Sequence, residues 1–184
     1  RLLRTPAVSI NRYSVPSKTT RLSMASRVVP GTSLVKSMGG IHRFMGWEGP
    51  VMSDSGGFQV YSLIAENSKA GRVFEDGFTY RWGRKKQVLT PEKCIQKQFQ
   101  IGADVLFCLD HCTHPDEAPE AQEKSVAHTV GWAARCKAAF EQRLDRGFGD
   151  GARPLLFAVV QGGRDPSLRK ACAEALLEIG HGLR

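Results

Sequence analysis

The chain has 184 residues, 41% of them hydrophobic, and a formal net charge of +8, which allows one domain with a real core and excludes two large ones. No apolar run approaches the roughly 20 residues that a membrane-spanning helix needs, and five cysteines without C-x-x-C spacing argue against a disulfide framework. Residues 1–47 hold eight Lys or Arg and no Asp or Glu, while the remainder carries 18 bases and 18 acids, so the body lacks the electrostatic footprint of a domain that binds nucleic acid by charge alone.

In chain order, residues 1–29 are Arg- and Ser-rich, acid-free and without clear periodicity. That composition fits an organellar transit peptide or a divergent stretch, and it stays unassigned beside one domain over 30–184. Residues 50–53 form a short apolar run that ends at Asp54, with Gly56-Gly57 as a tight turn, which reads as a strand and its exit loop. Residues 78–89 alternate loosely around Gly83-Arg84-Lys85, as in an inserted hairpin. Arg81, Arg84, Lys85 and Lys86, interleaved with Tyr80 and Trp82, read first as a solvated hairpin tip, and also suit phosphates and stacked bases.

Thr90-Pro91-Glu92 supplies an N-cap, a first-turn proline and an early acid, so a helix begins there, runs through Ile95, Gln98 and Phe99, and closes at Gly102. Residues 103–109 are nearly continuously apolar, the pattern of a parallel strand covered on both faces, and end at Asp110. Pro119 opens a long helix with Val126, Val130, Ala133, Cys136, Phe140 and Leu144 on one face. Residues 155–160 form a second apolar strand ending at Gln161, with Gly162-Gly163 after it. Asp165-Pro166 starts a helix that turns Leu168, Cys172, Leu176 and Ile179 inward and ends at Gly180.

Apolar strands alternating with helices predict an α/β fold, a partial (β/α)8 TIM barrel with an inserted hairpin, in which Asp54, Asp110 and Gln161 share the rim at the C-terminal strand ends. A doubly wound open sheet gathers the same residues and is the alternative.

Asp54 stands beside two glycines and Phe58, so a flat ligand can approach the backbone, stack on the ring and exchange a proton with the carboxylate. An N-capping Asp with a core Phe fits the same residues. Asp110 heads Asp110-His111-Cys112-Thr113-His114, and a carboxylate there can accept two hydrogen bonds from adjacent N–H donors such as the Watson–Crick edge of guanine. The same five residues also admit a metal site of His111, Cys112 and His114, a Cys112–His nucleophilic dyad, or a structural turn. Gln161 offers an amide donor and acceptor at the third strand end.

Four stretches carry a resemblance to a family: M-S-D-S-G-G-F-Q-V-Y-S-L at 52–63, L-T-P-E-K at 89–93, I-G-A-D-V-L-F-C-L-D-H-C-T-H-P at 101–115 and V-V-Q-G-G at 159–163. In order and spacing they resemble the tRNA-guanine (queuine) transglycosylases from about Pro30 to Arg184. The resemblance implies a barrel that flips out guanine at the anticodon wobble position of tRNA and exchanges it for queuine or a 7-deazaguanine precursor through a covalent intermediate. By motif, Asp54 is the general acid/base and Ser55 a neighbouring contact. Phe58 stacks on the base where many members have Tyr, and Asp110, Cys112, Gln161 and Gly162 line the base pocket. His111 replaces the Glu that many bacterial members carry after the Asp.

The family's second base-binding loop, nucleophilic Asp and zinc site have no match up to Arg184, so the expectation is a fragment, inactive alone, whose zinc ligands lie elsewhere. A cytoplasmic enzyme forming a homodimer or heterodimer is implied. The alternative is a non-catalytic accessory subunit that binds tRNA or the catalytic subunit.

Overall fold

A computed structural model describes Val8–Ser9, residues 32–147 and residues 153–180. Four strands, β1 (Val8–Ser9), β2 (Val51–Met52), β6 (Val105–Phe107) and β7 (Leu155–Phe157), form a parallel sheet in the order β1-β2-β6-β7. Strands β3 (Gly71–Phe74), β4 (Gly77–Trp82) and β5 (Lys85–Leu89) form a separate antiparallel sheet. The helices are α1 (Thr32–Ser37), α2 (Ile41–Met45), α3 (Gly57–Glu66), α4 (Pro91–Ile101), α5 (Pro119–Asp145) and α6 (Pro166–Glu178). The fold is mixed α/β around a parallel sheet that does not close on itself among the described residues.

The helix ends follow local chemistry. The Thr90 hydroxyl accepts a hydrogen bond from Lys93 N, Pro91 occupies the first turn of α4, and Gly102 ends it in the left-handed conformation. Asp165 caps α6 by accepting from Ser167 N and Leu168 N. Trp132, Ile95, Leu106, Leu109 and Val51 are among the largest fully buried side chains, and Phe99 meets Phe140 at 5.5 Å where α4 crosses α5.

Several expectations are corrected. The two apolar strands are shorter than 103–109 and 155–160, because β2 offers β6 only Met52 as a ladder partner before the chains diverge into loops. They are also covered on one face only. Leu106 is buried, but Met52, Leu155 and Phe157 are exposed, and Phe107 and Phe157 stack on each other at 5.9 Å on that bare side. The predicted hairpin gains a third strand, β3, paired to β4 from Gly71↔Tyr80 to Phe74↔Gly77.

Gly57 begins α3 rather than finishing a turn, with Gly56 as the left-handed N-cap. On α5 the buried face includes Gln122, Ser125, His128, Thr129 and Trp132, while Val126, Val130 and Leu144 are only partly buried. Residues 1–29, given no element, contribute Val8–Ser9 alongside β2.

Candidate functional site

The loops after β2, β6 and β7 converge at one end of the parallel sheet. Gln98, from α4, fixes two of them at their roots. Its carbonyl oxygen accepts from Ser53 Oγ at 2.8 Å and Phe107 N at 2.8 Å, and its amide donates to Phe107 O at 2.7 Å. One buried side chain thereby holds the residue before Asp54 and the last residue of β6 together, satisfying backbone groups that neighbouring strands leave unpaired.

Asp110 is the centre of the cluster, only 8% exposed. Its Oδ2 accepts from Gln161 Nε2 at 2.7 Å and its Oδ1 from Ser55 Oγ at 3.3 Å, so side chains from all three loops meet on one carboxylate. Burial pushes the Asp110 carboxyl above its ordinary range, and the charge of Asp54 pushes the same way against the pull of the Gln161 and Ser55 donors. Ser55 Oγ also accepts from Gly57 N at 3.1 Å.

Gly57 cannot be larger without displacement: a Cβ would lie 2.9 Å from Asp110 O and 3.2 Å from Asp110 Oδ1. At Gly162, φ is +128° and a Cβ would meet Arg169 N at 2.7 Å. That glycine lets the loop turn from Gln161 against the start of α6.

Asp54 differs from Asp110. It is exposed, and its carboxylate accepts from Ser55 N at 2.7 Å and from Gln59 Nε2 at 3.4 Å. The capping alternative for it falls, because Gly56 is the N-cap of α3 and no side chain caps that helix. Phe58 is 55% exposed, so it is not a core residue. Its ring lies 6.3 Å from Tyr61, and it presents an open face beside the rim.

The 110–114 loop is held by α5, through residues to which sequence reasoning assigned no role. His111 N donates to Thr129 Oγ1 at 3.0 Å and His111 O accepts from Ser125 Oγ at 2.6 Å. Gln122 accepts from Thr113 Oγ1 at 2.8 Å and donates to His114 O at 2.7 Å. Their signal is in the sequence: Gln122, Ser125 and Thr129 sit at helical spacing, a polar stripe continuous with the apolar one.

The imidazole of His111 turns inward. Its Nδ1 meets His128 Nδ1 at 3.1 Å, the two rings stack at 5.1 Å, and His128 stacks on Trp132 at 5.2 Å. Burial, then the neighbouring His128 and Lys124, push His111 down to about 4. This arrangement speaks against two of the three rival readings of the five residues, the metal site and the nucleophilic dyad. His111 faces away from the exposed His114, and no group of three or more His, Cys, Asp or Glu among the described residues is placed to hold a metal ion. Cys112 is a half-buried thiol contacting Thr113 O at 3.8 Å. Burial and the Asp110 charge push it up, the opposite of an activated nucleophile.

A buried carboxylate with a fixed amide beside it can read a planar ligand edge that presents adjacent N–H donors. An exposed carboxylate next to it can move a proton. A cavity of about 440 Å³ between α1, α4 and α5 is lined by none of these residues; the site is an open rim.

Comparison with known proteins adds the family. The family model described as Queuine tRNA-ribosyltransferase matches residues 16–183, starting upstream of Pro30. A queuine tRNA-ribosyltransferase of Solidesulfovibrio magneticus is 40% identical over 153 residues, 82% of this chain and 38% of that protein. Those of Methylacidiphilum infernorum and Lysinibacillus sphaericus are 37% and 38% identical, again over 82% of this chain and over 40% and 37% of their own lengths. The chain thus spans about two fifths of the length of the curated relatives it matches.

Proposed function

This chain belongs to the queuine tRNA-ribosyltransferase family, and on that premise we propose that its protein is a tRNA-guanine transglycosylase, a pentosyltransferase exchanging guanine in tRNA for queuine or another 7-deazaguanine. The observation that carries the reading is Asp110, buried and already accepting hydrogen bonds from Gln161 and Ser55. An entering guanine edge replaces donors with donors, so the carboxylate stays satisfied throughout.

Asp110 and Gln161 hold the base, the Ser55 hydroxyl and the Gly162 turn border it, and Cys112 lines the wall. Phe58 covers one face of the ring by stacking. Asp54, in contact with water, gives or takes the proton of the departing or arriving base. No residue here is assigned as the nucleophile that would hold the ribose. The family's zinc is part of the proposal, but the described residues offer it no ligand set.

We read the sheet as part of a (β/α)8 barrel. Its order, β1-β2-β6-β7, follows the chain without the reversal of a doubly wound sheet, and its bare face, with Met52, Leu155 and Phe157, is what a barrel interior requires. A cytoplasmic homodimer or heterodimer belongs to the same proposal. The test is incubation of the full-length protein that contains this chain with tRNA and labelled guanine. Label fixed at the anticodon wobble position is the expected result, and tRNA binding without exchange would replace the enzyme by an accessory subunit.

A further inference from the structure

Charge is segregated on the second sheet. Register sets Arg72 opposite Thr79 and Arg81 opposite Lys86. Because side chains alternate faces along a strand, these four share the face turned away from the buried Phe78 and Leu89. Between that face and the 3-10 turn at Ser68–Ala70 runs a cleft of about 210 Å³, lined by Lys69, Arg72, Thr79, Tyr80, Arg81 and Lys86.

No acid lines the cleft, and none of the ion pairs among the described residues uses any of its four cations. Four cations elsewhere do pair with acids, among them Arg135 with Asp76 and Glu92, and Arg164 with Asp116. Like charges directly opposite each other, as Arg81 and Lys86 are, destabilise a strand pair. A cleft that keeps four cations out of every ion pair among the described residues, beside the Thr79 hydroxyl, has the chemistry of a site for a polyanion.

Its position says which one. Phe78, on the same strand as Arg81, packs at 6.2 Å against His111, the neighbour of Asp110. Three residues of strand, about 10 Å, separate Phe78 from Arg81, so the cleft is joined to the rim through packed side chains. We propose that the Lys69–Arg72–Arg81–Lys86 cleft holds backbone phosphates of the RNA whose base enters the Asp54–Asp110–Gln161 rim, an inference that rests on the base-exchange reading above. The cleft reads no sequence; phosphate contacts set register and orientation, while the rim selects the base.

The test uses the full-length protein that contains this chain, with an RNA stem-loop carrying the target guanine and free guanine as separate probes. The Arg81→Ala/Lys86→Ala double variant is expected to bind the stem-loop on the order of tenfold more weakly at low salt. The slope of log affinity against log salt should fall by about 0.7 to 0.9 for each phosphate that the variant no longer neutralises, with free-guanine affinity at the wild-type value and a melting temperature no lower than wild type. Unchanged RNA affinity and slope, with guanine binding intact, would overturn the cleft assignment alone. Wild-type protein that binds guanine but not the RNA would overturn it too, and wild-type protein that binds neither would remove the base-exchange reading beneath it.

Discussion

The loops bearing Asp54 and Asp110 end neighbouring strands of one sheet, yet they are built oppositely. The Asp110 loop is bolted to α5 through Ser125, Thr129 and Gln122, and its carboxylate is buried with both oxygens engaged. Asp54 is exposed and accepts from Ser55 N and Gln59 Nε2, both within five residues of it. A recognition group gains from having its geometry set before the ligand arrives, whereas a proton-transfer group must change protonation state without disturbing the fold. Identical side chains on adjacent loops can therefore serve different tasks, decided by what surrounds them.

The sharpest way to break this contrast is Asp110→Ala in the full chain. Removing the acceptor should cut guanine affinity by up to roughly 10⁴-fold, the scale on which hydrogen-bonding sites reject ligands they cannot pair with. It also leaves Gln161 Nε2 without that acceptor and Ser55 Oγ with only the Gly57 N–H it accepts, a stability cost of about 1–3 kcal/mol. Calorimetric guanine binding beside thermal melting separates the two effects, and a lower melting point with unchanged guanine affinity would make Asp110 structural.

Asp54→Asn should do the reverse, slowing exchange by about two to four orders of magnitude while guanine affinity and melting temperature stay near wild type. Exchange at near wild-type rate would remove Asp54 from the chemistry.

Gly57→Ala tests the packing of the two loops against each other. The added methyl lands 2.9 Å from Asp110 O, and relieving that overlap should cost about 1–3 kcal/mol, read in denaturant unfolding. Stability equal to wild type would mean that the loops are not held at this separation.

His111→Gln gives the smallest effect, visible only against pH. His111 is pushed down to about 4 from an ordinary value of 6.5, so the unfolded chain takes up a proton that the folded chain refuses. Its contribution to stability is full above pH 6.5 and is lost as pH falls from there towards 4. Asp110, raised by burial, bends the curve the other way in both proteins, so the difference between wild type and variant isolates the histidine. The variant should be less acid-sensitive in that window, and superimposable pH–stability curves would refute the buried-imidazole account.

Much of this was legible in the sequence. Thr90-Pro91 and Asp165-Pro166 announced two helix starts, because capping is an interaction within three residues and needs nothing from the rest of the fold. The apolar runs before Asp110 and Gln161 announced strands, and their polar ends announced the rim. The chain order of the four motifs pointed to the family that the comparison then gave.

Tertiary structure decided the rest. Gln161 and Asp110 are 51 residues apart, and Ser55 and Asp110 are 55 apart. No local pattern states which oxygen meets which donor, since that depends on sheet register and on how α4 and α5 pack. The inward turn of His111 likewise depended on His128 and Trp132, on a helix whose polar stripe looks solvated until the loop it holds is folded against it. The sequence by itself determined where elements begin and which residues stand at strand ends, because those choices rest on backbone conformations and interactions a few residues long. Which carboxylate is buried and which is left in water was settled only when distant segments met, because burial and charge are properties of the assembled surroundings.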